Sequence, residues 1–143
     1  MSPTISYNAL AGITTPQTLK IEGHIKKKKV IVLIDSGSTH NFIHCKVAKE
    51  LHYFLYPTPK CQVMIANGRT INFSGKCHNI KLTMGECVLN SPMVSFPMCG
   101  VDVVLGVQWL QYLGTIAFNF QELFLNFFWE GKEFELWGIA GKP

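Results

Sequence analysis

Five apolar residues in succession, Val30-Ile31-Val32-Leu33-Ile34, stop at Asp35-Ser36-Gly37, and this junction constrains the fold more than any other feature of the chain. A run that is apolar at every position, rather than at alternate ones, reads as a strand with both faces covered. Before it, Leu19-Lys20-Ile21-Glu22-Gly23-His24-Ile25 alternates apolar with polar, and Lys26-Lys27-Lys28-Lys29 intervenes. The pair therefore reads as a hairpin whose second strand is central. Asp-Ser-Gly then sets a carboxylate at the strand's mouth, and the glycine lets the backbone turn sharply and approach a bound peptide closely. Such a triplet also occurs in ordinary loops, because Asp and Ser bond their own backbone there, so its meaning depends on what else the chain carries.

A second apolar run, Val103-Val104-Leu105, ends in Gly106 and leads into Val107-Gln108-Trp109-Leu110-Gln111-Tyr112-Leu113-Gly114, a one-face apolar pattern closed by a helix-ending glycine. Between the two runs, residues 45–51 read as one or two helical turns that end ahead of Tyr56-Pro57-Thr58-Pro59. Strands at 62–66 and 70–73 flank Asn67-Gly68, a dipeptide that favours a tight type I′ hairpin. Further strands are expected at 80–84, 87–94, 101–105 and 115–120, and the aromatic stretch 123–137 reads as a hairpin turning at Glu130-Gly131-Lys132. The class is all-β with two short helices. Residues 1–16 show little periodicity and read as a loosely held, flexible segment, 17–138 as the folded domain and 139–143 as a tail.

Taken in order, Asp35-Ser36-Gly37, Ser38-Thr39-His40-Asn41-Phe42-Ile43, Val63-Met64-Ile65-Ala66-Asn67-Gly68-Arg69 and Asp102-Val103-Val104-Leu105-Gly106 with Trp109-Leu110 resemble the aspartic proteases of retroviruses and LTR retrotransposons. The gypsy-type plant branch is most similar, and the resemblance spans about residues 19–120. It implies a retropepsin-like closed β-barrel-type domain with a flap hairpin over the site. It implies catalytic roles for Asp35, Ser36 and Gly37, peptide contacts from Thr39, His40, Asn41, Ala66, Asn67 and Gly68, and a structural role for Val104, Leu105 and Gly106. Two departures stand out. Gly68 alone sits at the flap tip, where viral relatives are glycine-rich, and His40 replaces a commonly acidic residue, which brings pH dependence within reach.

Hydrolysis of a peptide bond by carboxylates takes two: one abstracts a proton from water while the other, protonated, polarises the scissile carbonyl. Only Asp35 and Asp102 are aspartates, and Asp102 is followed by Val103 rather than by Ser/Thr-Gly. One chain then supplies one suitable carboxylate, and a homodimer brings two copies of Asp35 together about a two-fold axis. By the resemblance, Ser36 bonds across that axis, residues 118–137 contribute to the dimer, and no cofactor is needed. A Ser-His-Asp hydrolase is a poorer reading, since no G-x-S-x-G elbow occurs.

Composition agrees with a dimer. At 143 residues the chain fits one domain, with 48% hydrophobic residues against 15% charged, more apolar surface than a lone small domain hides. The net charge of +4 leans on Lys26 to Lys29, which reads as a solvated turn; nucleic-acid binding through these lysines is the rival, without aromatic interleaving to support it. Five cysteines with no CxxC pair and no secretory signal point to a reduced, intracellular, cytoplasmic protein, virus-like particles included. His40, His44, Cys45 and His52 match no standard metal spacing. No stretch approaches the roughly 20 apolar residues of a membrane span. The sequence thus reads as an aspartic endopeptidase that processes a retrotransposon polyprotein. The alternative is a retropepsin-like dimerisation or peptide-binding module that does not cleave.

Overall fold

A computed structural model describes residues 3–15, 18–58, 62–65, 68–73 and 75–139. Among these residues, three short helices, α1 (Tyr7–Ala11), α2 (Cys45–Glu50) and α3 (Val107–Leu110), accompany eleven strands: β1 (Thr18–Ile25), β2 (Lys28–Asp35), β3 (Phe42–His44), β4 (Gln62–Met64), β5 (Thr70–Asn72), β6 (Gly75–Met84), β7 (Cys87–Phe96), β8 (Val103–Leu105), β9 (Ile116–Asn119), β10 (Phe124–Trp129) and β11 (Lys132–Trp137). Six of them close a barrel in the order β1-β2-β8-β3-β7-β6, while β4-β5 and β11-β10-β9 form separate sheets. The fold is the expected all-β barrel with few short helices.

The continuous apolar run of β2 has the environment its composition demands. It pairs antiparallel with β1 on one side and parallel with β8 on the other, Val32 opposite Val103, Leu33 opposite Val104 and Ile34 opposite Leu105. Side chains of β2 alternate between two cores. Val32 and Ile34 join Leu19, Ile43, Leu82 and Trp109 in the larger one, and Leu33 joins Phe42, Val63, Phe96 and Val104 in the smaller. Burying a side chain such as Phe42 or Leu33 contributes about 1.5–3 kcal/mol.

The lysine run does turn the first hairpin. Ile25 pairs with Lys28, leaving Lys26 and Lys27 at positive φ of 48° and 71°. The charges are used within the chain: Lys26 donates to the Leu51 carbonyl and lies over the Tyr53 ring, Lys28 pairs with Glu50 and Lys29 with Glu22. In the tail, Trp129 pairs with Lys132 across Glu130-Gly131, both at positive φ, as a type I′ turn requires. Trp109 meets Phe127 and Trp129 edge to face and so ties α3 to the C-terminal sheet.

Three expectations need adjustment. The strands placed at 80–84 and 87–94 are longer, with a bulge between Cys77 and Ile80. That bulge lies opposite Pro92, which has no ladder hydrogen to give. In the β4-β5 hairpin, Met64 pairs with Thr70 and Ile65 N–H donates to the Arg69 carbonyl, so three positions, not two, lie inside the last bonded pair. Gly68 at φ 70° suits the last place of such a loop; Ala66 and Asn67 lie outside the described residues. The opening segment, expected to be loosely held, is instead packed: Ile5 and Ala9 are buried in the smaller core, and Ser6 caps α1.

Among the described residues Cys77 and Cys87 are buried thiols, Cys99 is exposed, and all are unpaired. Burial, with help from Glu130, pushes the Cys87 thiol up to about 11, and burial alone raises Cys77. No helix among the described residues is long and apolar enough to cross a membrane.

Candidate active site

Asp35 is the last residue of β2, and its side chain is only 4% exposed. Three donors hold it. Oδ1 accepts the Gly37 N–H at 3.0 Å, while Oδ2 accepts the hydroxyls of Ser38 at 2.9 Å and Ser6 at 2.5 Å. Ser38 N–H returns to the Asp35 carbonyl, closing the turn, and the Ser38 side chain is fully buried. The carboxylate is therefore fixed by its own loop and by one residue from far upstream.

Gly106 holds the loop from the other side. Val107 N–H donates to the Ser38 carbonyl and Gln108 N–H to that of Thr39, so the start of α3 binds the loop's backbone. Asn41 completes the bracket: its Oδ1 accepts the Gly106 N–H at 3.0 Å, its Nδ2 donates to Ser91 Oγ at 2.9 Å, and its own N–H donates to Gln108 Oε1. A Cβ on Gly106 would stand 2.4 Å from the Ser38 carbonyl oxygen and 2.6 Å from that of His40. No side chain fits between loop and strand at that spacing. The strand–glycine motif is thus a seat for the carboxylate loop.

The residues expected to touch a peptide fall in different places. Asn41 is 1% exposed and turned into the bracket. Thr39 and His40 are half-buried beside the carboxylate loop, the Thr39 hydroxyl 2.6 Å from His40 Nδ1. Burial first, then the Lys76 charge, lowers the His40 pKa below its ordinary 6.5. Gly68 is exposed at the hairpin tip with open space around it. Ser36 and Gly37 are exposed, and Ser36 lines a depression with Ile34, Leu110, Ile116, Phe118 and Leu125.

Asp102 serves elsewhere. Its Oδ2 accepts the Ile31 N–H at 2.8 Å, its N–H donates to the Ile31 carbonyl, and its carbonyl accepts from His44. No cluster of three or more His, Cys, Asp or Glu among the described residues could hold a metal ion. Two site residues escaped the sequence reading. Ser38 carried a usable signal, a hydroxyl three positions beyond the acid; Ser6 carried none.

The fold and this carboxylate seat define a retropepsin-like domain. Residues 21–112 match the model of the "gag-polyprotein putative aspartyl protease" family, and the chain belongs to that family. Among solved structures it is similar to the retroviral protease-like domain of Ddi1 from Leishmania major, with a TM-score of 0.62 and 12% identity over 87% of this chain and 95% of that one. It is also similar to a retropepsin-like aspartic protease from Rickettsia conorii, with a TM-score of 0.56 and 12% identity over 90% of this chain and 89% of that one. No curated protein matches the sequence.

Proposed function

We propose that the chain is an aspartic endopeptidase acting as a homodimer, each subunit giving Asp35 to one shared site. The observation that carries this reading is the end of β2, where a seated carboxylate is followed directly by exposed Ser36 and Gly37 beside partly exposed Leu110, Ile116 and Phe118. One carboxylate cannot both take a proton from water and polarise the carbonyl. Asp102 is engaged with Ile31, so the second acid comes from another copy. An isologous contact through the Ser36 surface brings the two Asp35 side chains together and lets the Ser36 hydroxyls bond across the axis.

Two carboxylates a few ångströms apart share one proton and titrate as a pair. The ionised member takes a proton from water, the protonated member donates to the scissile carbonyl oxygen, and the water oxygen adds to the carbonyl carbon. Collapse breaks the C–N bond as the amide nitrogen receives a proton. The peptide lies extended between the β4-β5 hairpin and the carboxylate loop, paired through its main chain, with Thr39, His40 and Gly68 at its edges. Family membership supports a polyprotein as substrate. We extend this to a gypsy-type LTR element, to an intracellular site of action and to residues 17–138 as the protease domain.

The test is cleavage of a diverse peptide mixture at about pH 5 by the chain and by Asp35→Asn, together with sedimentation. Cleavage by the first, none by the second and a dimer in solution are expected. An active monomer would overturn the shared site. A dimer in which neither protein cleaves would favour the binding module.

A further inference from the structure

The segment ahead of β1 runs through the space that the proposed function gives to a substrate. Ile5 N–H donates to the Met64 carbonyl and Met64 N–H to that of Pro3, so residues 3–5 pair in parallel with flap strand β4. On the opposite side Thr39 N–H donates to the Thr4 carbonyl at 2.8 Å, and Thr4 N–H donates to Thr39 Oγ1 at 2.8 Å. Ser6 N–H then donates to Ser38 Oγ at 3.1 Å, and the Ser6 hydroxyl to Asp35. A short extended stretch is therefore bonded through its main chain to the flap on one side and to the carboxylate loop on the other, the way an added strand is recognised.

Side chains follow the same pattern. Ile5 is fully buried with Val63 and Phe73 of the flap hairpin and with Val101 and Val104. Beyond Ser6 the segment winds into α1, and the Leu10 carbonyl accepts the Cys99 N–H from the β7–β8 connection. Flap, carboxylate loop and that connection thus close on residues 3–10 from three sides. The segment lies ahead of the family match, which begins at residue 21.

We propose that residues 3–11 are a resident intrachain ligand of the peptide cleft, competing with substrates for Asp35, and that the cleft accepts extended peptides in which an aliphatic residue precedes a small hydroxyl residue. This rests on the reading of that cleft as a peptide site. Because the ligand is tethered, an external peptide binds only to the fraction of molecules in which the segment is out. Its apparent affinity falls in proportion to that fraction.

The experiment measures binding of a fluorescent nonapeptide, Pro-Thr-Ile-Ser-Tyr-Asn-Ala-Leu-Ala, by anisotropy to the full chain and to its Ile5→Asp and Ser6→Ala variants. Ile5→Asp removes the buried anchor and is expected to bind the probe at least about tenfold more tightly than the parent, with Ser6→Ala in the same direction and smaller. A probe with Asp in place of its Ile is expected to lose binding to every protein. Equal affinity of parent and variants, or no binding to any folded variant, overturns the proposal. Should Ile5→Asp fail to fold, Ser6→Ala decides alone, since it keeps the core intact. Binding is read apart from cleavage: a variant that gains the probe but cuts nothing sustains the resident ligand and defeats the endopeptidase, and unchanged probe binding with Asp35-dependent cleavage does the reverse.

Discussion

Asp35 and Asp102 stand at opposite ends of the same parallel strand pair, and the chain uses them for opposite purposes. Asp35 leaves the last position of β2 and gathers Gly37, Ser38 and Ser6 around its oxygens. Asp102 precedes β8 and gives its carboxylate to the backbone of Ile31, pinning β8 alongside β2. One acid is held by a loop that opens toward exposed Ser36 and Gly37, the other completes a ladder. The difference lies in the neighbours: Ser-Gly after an acid frees the chain to turn, whereas Val103-Val104 after an acid keeps it extended.

The largest expected effect separates the two. Asp35→Asn should lower peptide cleavage by about 10²–10⁴-fold or more, since it removes the proton acceptor, while thermal melting moves little. Gly106→Ala comes next. Its methyl group meets the Ser38 and His40 carbonyl oxygens, and overpacking of this kind costs about 1–3 kcal/mol or more; a fall in the denaturant midpoint accompanied by lost cleavage would tie the seat to the acid.

Asp102→Ala should destabilise by about 1–3 kcal/mol, leaving the Ile31 N–H without its partner, yet the molecules that remain folded should cleave at the parental rate. A loss of turnover beyond the loss of folded protein would break the division of labour between the two aspartates. The smallest effect concerns His40. Its folded pKa lies below the unfolded value of 6.5, so the unfolded chain binds more protons as pH falls through that value, and stability declines from there toward the lowered folded pKa. His40→Gln should flatten this decline in melts recorded between about pH 7 and pH 5, with no change above it.

How much was readable follows from distance along the chain. Strand β2 announced itself because both of its faces are covered, and the Lys26-Lys27 and Glu130-Gly131 turns because the strands they join are adjacent. The Asp35 loop was readable as a turn with an acid, and Gly106 as the end of an apolar strand. The bracket formed by Asn41 was not, because its partners are Ser91 and Gly106, 50 and 65 positions away. Nor was the packing of Ile5 and Ser6: five-residue α1 is too short to show a periodic face, and its surroundings come from Asp35, Ser38, Val63 and Val104. The turn expected at Asn67-Gly68 misled for a local reason. Asn-Gly favours a two-residue loop, but pairing of Met64 with Thr70 sets the register one step wider.

The pairing of β2 with β8 also sets an order of events during synthesis. Asp35 leaves the ribosome well before Asp102 and Gly106, but its loop and Asn41 are bonded to Gly106, Val107 and Gln108, and the Ile31 N–H of β2 donates to Asp102 across 71 positions. Closing so long a loop is a late and slow step. The carboxylate can find its seat only after most of the domain has been made, so a nascent chain carries the acid for much of its elongation without the architecture that fixes it.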